Sequence, residues 1–414
     1  MKSTGLGGDP GGGQDSPLIF IVAGEPSGDL LGARLMAALR AETGGRIRFA
    51  GVGGERMAAE GLRSQVPIDQ LAVMGIFEVL PHALRILRII RQTAATARTL
   101  RPAAVVTIDS PNFSLEVSQR LRGLGVPLIH YVAPSVWAWK PWRAARMARS
   151  VDHLLTLLPF EAPYFEKHGL ATTFVGHPAI EAAQEPVDPA AFRAAHGVPA
   201  AAQAICVLPG SRRGEVRRLA PVFGATLQRL AARIPDLCVV VPTVSTVAAD
   251  VSALIQEWPV PAIVLSDPRE KAAAIAAADV ALAASGTVAV ELAVAGVAAV
   301  IAYRVSPLTA FVARRVIKLP YASLPNILLG REVQPEFIQE NCTPDNLAPA
   351  LIHLLQDPKA RAAQIAAAGE AVAMLRPEGA LPSIRAARTI LRLVQAGNHR
   401  AKGLPIENTP KEAR

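Results

Sequence analysis

The stretch Leu18-Ile19-Phe20-Ile21-Val22-Ala23-Gly24-Glu25-Pro26-Ser27-Gly28-Asp29 decides the fold class. Its first five residues are apolar without a break, and Gly24 closes the run soon after. This reads as a parallel strand buried on both faces. A helical pattern follows from Gly28 to about Ala41. The alternation continues with strands at 46–52, 103–108, 127–132 and near 153–158, and helices at 78–100, near 114–122 and near 142–149. Residues 181–203 interrupt it with an Ala/Pro/Glu-rich segment. It restarts with strands at 205–208, 238–241, 262–265, 280–283 and 298–301, and the chain closes on helical patterns at 344–356, 358–375 and 382–395. The expected class is α/β, with two Rossmann-like lobes of parallel sheet and a ligand cleft between them, lined by loops at the carboxyl ends of the strands. The expected divisions are a tail at 1–16, a first lobe at 17–182, a linker at 183–203 and a second lobe at 204–365. Helices at 366–396 that can pack back on the first lobe and a tail at 397–414 complete the chain.

With 51% hydrophobic residues in 414, the chain is neither disordered nor fibrous. Three cysteines exclude a disulfide scaffold and a four-cysteine zinc site. Lys and Arg outnumber Asp and Glu by 43 to 34, a net +9 that suits nucleic acid, an anionic membrane surface or phosphorylated small molecules. Between Val79 and Ser150, 11 basic residues face two acids (Asp109 and Glu116), so this window carries the whole surplus. No apolar signal core is visible in 1–16, and no charge-free run approaches the ~20 apolar residues of a membrane span. The expectation is a cytoplasmic chain.

Chemistry is sought at strand ends. Gly24 to Asp29 is a strand–helix turn whose glycines let a ligand approach the backbone; equally, Ser27 or Asp29 can simply cap the helix. Asp109 closes a buried strand. It reads as a carboxylate able to take a proton from a substrate hydroxyl, or as an N-cap ahead of Pro111. Pro209-Gly210-Ser211-Arg212-Arg213-Gly214-Glu215 combines two glycines, a hydroxyl and two guanidiniums, which suits a pyrophosphate; the alternative is a solvated basic turn. Ser285-Gly286-Thr287 opens another helix, with Glu291 one turn on and able to hold ribose hydroxyls; the alternative is a capped helix with an internal Glu.

The loop His130-Tyr131-Val132-Ala133-Pro134-Ser135-Val136-Trp137-Ala138-Trp139-Lys140-Pro141-Trp142 holds three of the four tryptophans. It can stack a sugar ring, lie at a membrane interface or merely pack. In the helix at 78–101, Leu84, Leu87 and Ile90 form an apolar stripe beside Arg85, Arg88 and Arg91, a pattern that fits either a lipid surface or an ordinary lobe helix. Residues 305–318 repeat the theme, with Arg314, Arg315 and Lys318. No D-x-D, H-E-x-x-H or C-x-x-C occurs. Cys206 and Cys238 read as buried apolar residues. His177 ends a strand and suits a structural role.

Together these motifs resemble the lipid-A-disaccharide synthase family. The resemblance rests on Ala23-Gly24-Glu25-Pro26-Ser27-Gly28-Asp29, Val73-Met74-Gly75, Ile108-Asp109-Ser110-Pro111, the Trp loop and Leu158-Pro159-Phe160-Glu161. It continues through Gly176-His177-Pro178, Leu208-Pro209-Gly210-Ser211-Arg212, Ala284-Ser285-Gly286-Thr287 and Ser323-Leu324-Pro325-Asn326, in the family's order. It implies a GT-B-type fold, a first lobe for the acceptor and membrane, and a second for the donor. It also implies inverting transfer of a 2,3-diacylglucosaminyl unit from UDP to 2,3-diacylglucosamine 1-phosphate, giving a β-1,6 disaccharide 1-phosphate. No metal or other cofactor is expected, nor nucleic acid. The implied place is the cytoplasmic face of the inner membrane, held peripherally, and a homodimer is compatible. By resemblance Asp109 is the general base. The resemblance also makes Arg212 a donor-phosphate residue, Glu291 the ribose-binding carboxylate and Asn326 a polar residue important for activity. Ser211, Ser285, Gly286 and Thr287 join Arg212, Glu291 and Asn326 as the expected donor set, and Glu25, Ser27, Gly28, Asp29, Trp137 and Trp139 are read as acceptor or cleft-loop residues. Asn112 departs from the family, which often has a second Asp there; Arg213-Gly214 departs where Gly-Ala is common.

Overall fold

The structure, a computed structural model, describes residues 16–67, 83–317 and 319–401. Val73-Met74-Gly75, Lys318 and most of the two expected tails lie outside the described residues. The chain forms two compact units, Met1–Pro178 with Pro377–Arg414 and Ala179–Arg376.

In the first unit six parallel strands are ordered β2-β1-β3-β4-β5-β6. They are β1 (Leu18–Ala23), β2 (Arg48–Val52), β3 (Ala104–Ile108), β4 (Leu128–Tyr131), β5 (His153–Thr156) and β6 (Ala171–Phe174). The sheet is buried on both faces, as its continuous apolar runs require. Ile19, Ile21, Val106 and Ile129 pack on one side; Phe20, Val22, Val105 and Leu128 pack on the other. Strand order reverses between β1 and β3. Neighbouring crossovers there leave on opposite faces and open a crevice at the carboxyl ends.

The second unit repeats the plan in the order β12-β11-β10-β7-β8-β9. Its strands are β7 (Gln203–Leu208), β8 (Leu237–Pro242), β9 (Ala262–Leu265), β10 (Val280–Ala284), β11 (Ala298–Tyr303) and β12 (Glu336–Ile338). Its reversal falls between β7 and β10. Both pairs of strand-end loops singled out in the sequence therefore sit at a reversal point of their own sheet.

Two segments add detail to the expected divisions. Residues 183–203, expected as a linker, include the helix Pro189–Ala195. Asp188 caps it by accepting from the N–H groups of Ala190 and Ala191 (3.0 and 2.9 Å), and Phe192 is buried against Val240 and Leu265. The C-terminal helices part company: Pro358–Leu375 stays with the second unit, whereas Pro382–Ala401 packs on Pro26–Glu42 of the first and runs past Gly397. Ala386, Ala387 and Ile390 of that last helix are fully buried in the first unit's core. Among the described residues no helix is long and apolar enough to cross a membrane.

Candidate active site

The register pairs Ala23 with Ile108, so Gly24 and Asp109 leave the first sheet side by side. A Cβ on Gly24 would lie 2.7 Å from Cβ of Ser110, so no larger residue fits. Asp109 and Ser110 are consecutive left-handed residues (φ 52° and 44°), a conformation that costs L-residues roughly 1–2 kcal/mol each. Local bonds offset that cost. The Ser110 N–H donates to Asp109 Oδ1 (2.7 Å), and the Ser114 hydroxyl donates to the Asp109 carbonyl (2.6 Å). Ser27 donates its hydroxyl to Asp109 Oδ2 at 3.1 Å. The half-buried carboxylate thus accepts one bond on each oxygen and keeps capacity for another. It is not a helix cap: the cap position of Pro111–Leu121 is Ser110.

Around it, the Pro26–Glu42 helix begins after Glu25 without a side-chain cap, so neither Ser27 nor Asp29 serves that role. Gly28 is buried against Ile108. Asp29 leaves the set of cleft residues. It is 6% exposed, and its carboxylate accepts from the N–H groups of Gly54, Arg56 and Met57 (2.7, 3.0 and 3.1 Å). It caps the neighbouring helix Glu55–Ala59. Asn112, the departure from the family pattern, accepts from Arg143 at 3.1 Å.

The Trp loop leaves β4 through Val132, whose φ of 84° is an outlier for a β-branched residue. The Trp137 indole N–H donates to Glu161 (3.2 Å) and its ring meets Phe160 edge-on at 5.2 Å. Trp139 is 42% exposed, with the Lys140 ammonium 4.2 Å from its ring centre, and Trp142 is more open still. Glu161 was legible only as part of a motif. It is buried and also accepts from the N–H groups of Leu157 and Leu158 (3.2 and 3.1 Å). Burial pushes its carboxyl up to about 7, outweighing the three bonds that pull it down. His130, fully buried beside Thr107 (2.8 Å), is held down to about 4 by burial and stays neutral. His177 is likewise buried.

In the second unit Ser211 and Arg212 are exposed at the end of β7, and Arg212 precedes the helix Arg213–Ala231. Gly210 takes φ 114°, where a Cβ would press to 2.8 Å on Glu215. Glu215 organises the loop: its Oε1 holds the Arg212 guanidinium (2.8 Å) and its Oε2 accepts from the Ser211 N–H (3.3 Å). The sequence signal was present, since a Glu three residues after an Arg at a helix start can reach back. Arg213 is drawn off to Asp250 at 3.0 Å. Ser285 follows β10 and donates its hydroxyl to the Ala322 carbonyl (3.0 Å), while Gly286 and Thr287 are exposed. Glu291 pairs with Lys271 (2.5 Å), a partner from a distant helix that spacing could not disclose.

Asn326 is corrected from a donor contact to a support. It is fully buried; its amide donates to the Gln334 carbonyl and Glu336 (2.7 and 2.6 Å), and its oxygen accepts from the N–H groups of Val333 and Gln334 (2.8 and 2.9 Å). Every bonding position is taken. Glu336 in turn accepts from the N–H groups of Ala322 and Ser323, so this network holds the turn before Leu324–Leu329 that Ser285 rests on.

The surface helix is Ala83–Leu100. Leu84 (84% exposed) and Leu87 (38%) stand out with Arg85, Arg88 and Arg91, but Ile90 is corrected to a core residue: it is 3% exposed among Phe20, Val105 and Val117. Cys206 is buried and its thiol pushed up to about 12, whereas Cys238 is only half-buried. Among the described residues no three His, Cys, Asp or Glu side chains gather as metal ligands.

Two parallel six-stranded sheets with strand-end loops at their reversal points define a GT-B-type α/β protein. Solved structures share this fold: a Staphylococcus aureus MnaA solved with UDP has a TM-score of 0.63 at 13% identity, covering 96% of this chain and 100% of its own. Acinetobacter baumannii MurG gives 0.53 at 16% identity, covering 92% and 99%. Residues 19–379 match the family model described as lipid-A-disaccharide synthetase. The lipid-A-disaccharide synthase of Rhodospirillum centenum is 52% identical over 379 residues, 91% of this chain and 94% of its own. The chain belongs to the lipid-A-disaccharide synthase family and is a hexosyltransferase.

Proposed function

We propose that the chain transfers a 2,3-diacylglucosaminyl unit from its UDP donor to the 6-hydroxyl of 2,3-diacylglucosamine 1-phosphate, with inversion. The observation that carries this reading is the carboxylate of Asp109 at the β1/β3 reversal, steadied by Ser27 and with a lone pair to spare. Asp109 accepts the proton of the acceptor hydroxyl as that oxygen attacks the anomeric carbon. The C1–O bond to the diphosphate breaks, and its electron pair leaves with UDP. One displacement gives a β linkage from an α donor.

Leaving-group charge needs fixed donors. Arg212, held by Glu215, and the Ser211 hydroxyl supply them at the end of β7, with Ser285 and Thr287 at the end of β10. Glu291 accepts from ribose hydroxyls while Lys271 balances its charge. Trp137 and Trp139 border the acceptor sugar. Residues Leu84, Leu87, Arg85, Arg88 and Arg91 rest on an anionic lipid surface, which fits a peripheral place on the cytoplasmic face of the inner membrane and acyl chains that stay in lipid. Nothing in these steps calls for a metal. The test is Asp109→Asn: transfer falls ~10²–10⁴-fold while UDP binding is unchanged. Wild-type turnover in that variant removes Asp109 as base.

A further inference from the structure

The loop after β4 starts from a strained residue, Val132 (φ 84°), and strain of this kind persists where surrounding contacts over-determine it. Backbone bonding supplies part: the Val132 N–H donates to Leu155 at 3.1 Å. Beyond that, the Trp137 indole ties the loop to its neighbour by donating to Glu161 at 3.2 Å. Glu161 stands at the end of the loop after β5, anchored by the N–H groups of Leu157 and Leu158. A single carboxylate therefore joins the loops after β4 and β5 at the sheet's carboxyl edge, where Asp109 also lies.

A carboxylate that is 3% exposed, with neutral N–H groups as its partners, is a costly way to fill space. What it does, when ionised, is accept three N–H groups at once. Glutamine cannot: its amide oxygen takes at most two, and its NH₂ then faces the third donor. Aspartate is one methylene too short to span from the β5 loop to the indole.

We infer that Glu161 is a positioning residue for the acceptor sugar, acting through Trp137 to set where the Trp137–Trp139 loop meets it. This rests on the reading of that loop as the acceptor's border.

The test uses the full chain and two readouts. The first is the ¹H–¹⁵N indole resonances titrated with glucosamine 1-phosphate, a soluble acceptor headgroup; the second is steady-state kinetics. In Glu161→Gln the Trp137 indole resonance shifts and headgroup affinity falls at least fivefold. Acceptor KM rises by a similar factor, and donor KM stays within twofold. Trp137→Phe shows the same kinetic change, and the double variant is no worse than either single one, because both remove one link. If Glu161→Gln is too unstable to study, Trp137→Phe alone carries the test. Unchanged headgroup affinity and acceptor KM in the folded variants, whatever their melting temperature, overturns the inference and leaves Glu161 a packing residue. If the wild type makes no disaccharide, the proposed transfer fails, while the headgroup titration still judges Glu161.

Discussion

At the scale of single residues, burial separates support from chemistry. Asn326 and Asp29 are buried and bonded within the protein, whereas Asp109, Ser211 and Arg212 are half-buried or exposed and keep bonding capacity beyond their internal partners. Asn326→Ala strands the N–H groups of Val333 and Gln334 and should cost at least ~2 kcal/mol, read as a lower melting temperature together with weaker UDP binding. Glu161 gives a pH prediction. Its carboxyl titrates near 7 in the folded chain against 4.5 unfolded, so between those values the folded state keeps a proton that the unfolded state has released. Stability is therefore lost as pH rises through that window, by up to about 3 kcal/mol. Denaturant unfolding of Glu161→Gln, compared with wild type at pH 5 and pH 8, should lack this component; equal pH dependence in the two proteins contradicts it. These residues were only half legible in the sequence. Asp109 and Arg212 stand out because they end apolar runs. The burial of Asn326 and the reach of Asp29 to Gly54 depend on tertiary packing, which no local pattern encodes.

At the scale of elements, apolar runs located the central strands well because buried parallel strands have no polar face to confuse the period. Edges were harder. β6 contains Thr172 and Thr173 and is partly exposed, and β12 has only three residues. The Pro189–Ala195 helix hid behind its Ala/Pro composition, although Asp188-Pro189 is an ordinary helix start. The Pro382–Ala401 helix allows a contrast. Ile390 is fully buried, and Ile390→Ala should cost ~2–5 kcal/mol. Arg388 pairs with Glu42 at 2.9 Å in an exposed setting, and Arg388→Ala should cost far less. Equal losses in urea unfolding would mean that this helix is not docked through its apolar face.

At the scale of the whole molecule, the charge surplus becomes more specific. Arg120 and Arg146 share Glu116, Arg122 pairs with Asp152, and Arg143 bonds Asn112. Arg85, Arg88 and Arg91 remain exposed beside Leu84 and Leu87. At about 1 kcal/mol per cation, changing all three to Gln should weaken binding to phosphatidylglycerol vesicles roughly a hundredfold, and high salt should do the same. Vesicle binding that ignores both changes would remove this surface. Chelator should leave transfer unaffected; loss of activity would put a metal in the reaction. The central claim is tested most directly by incubating the protein with UDP-2,3-diacylglucosamine and 2,3-diacylglucosamine 1-phosphate and determining the product's mass and anomeric configuration. The account predicts a β-1,6 disaccharide 1-phosphate with one UDP released per linkage, absent in Asp109→Asn. An α linkage, or UDP-sugar consumed with no disaccharide formed, would contradict it.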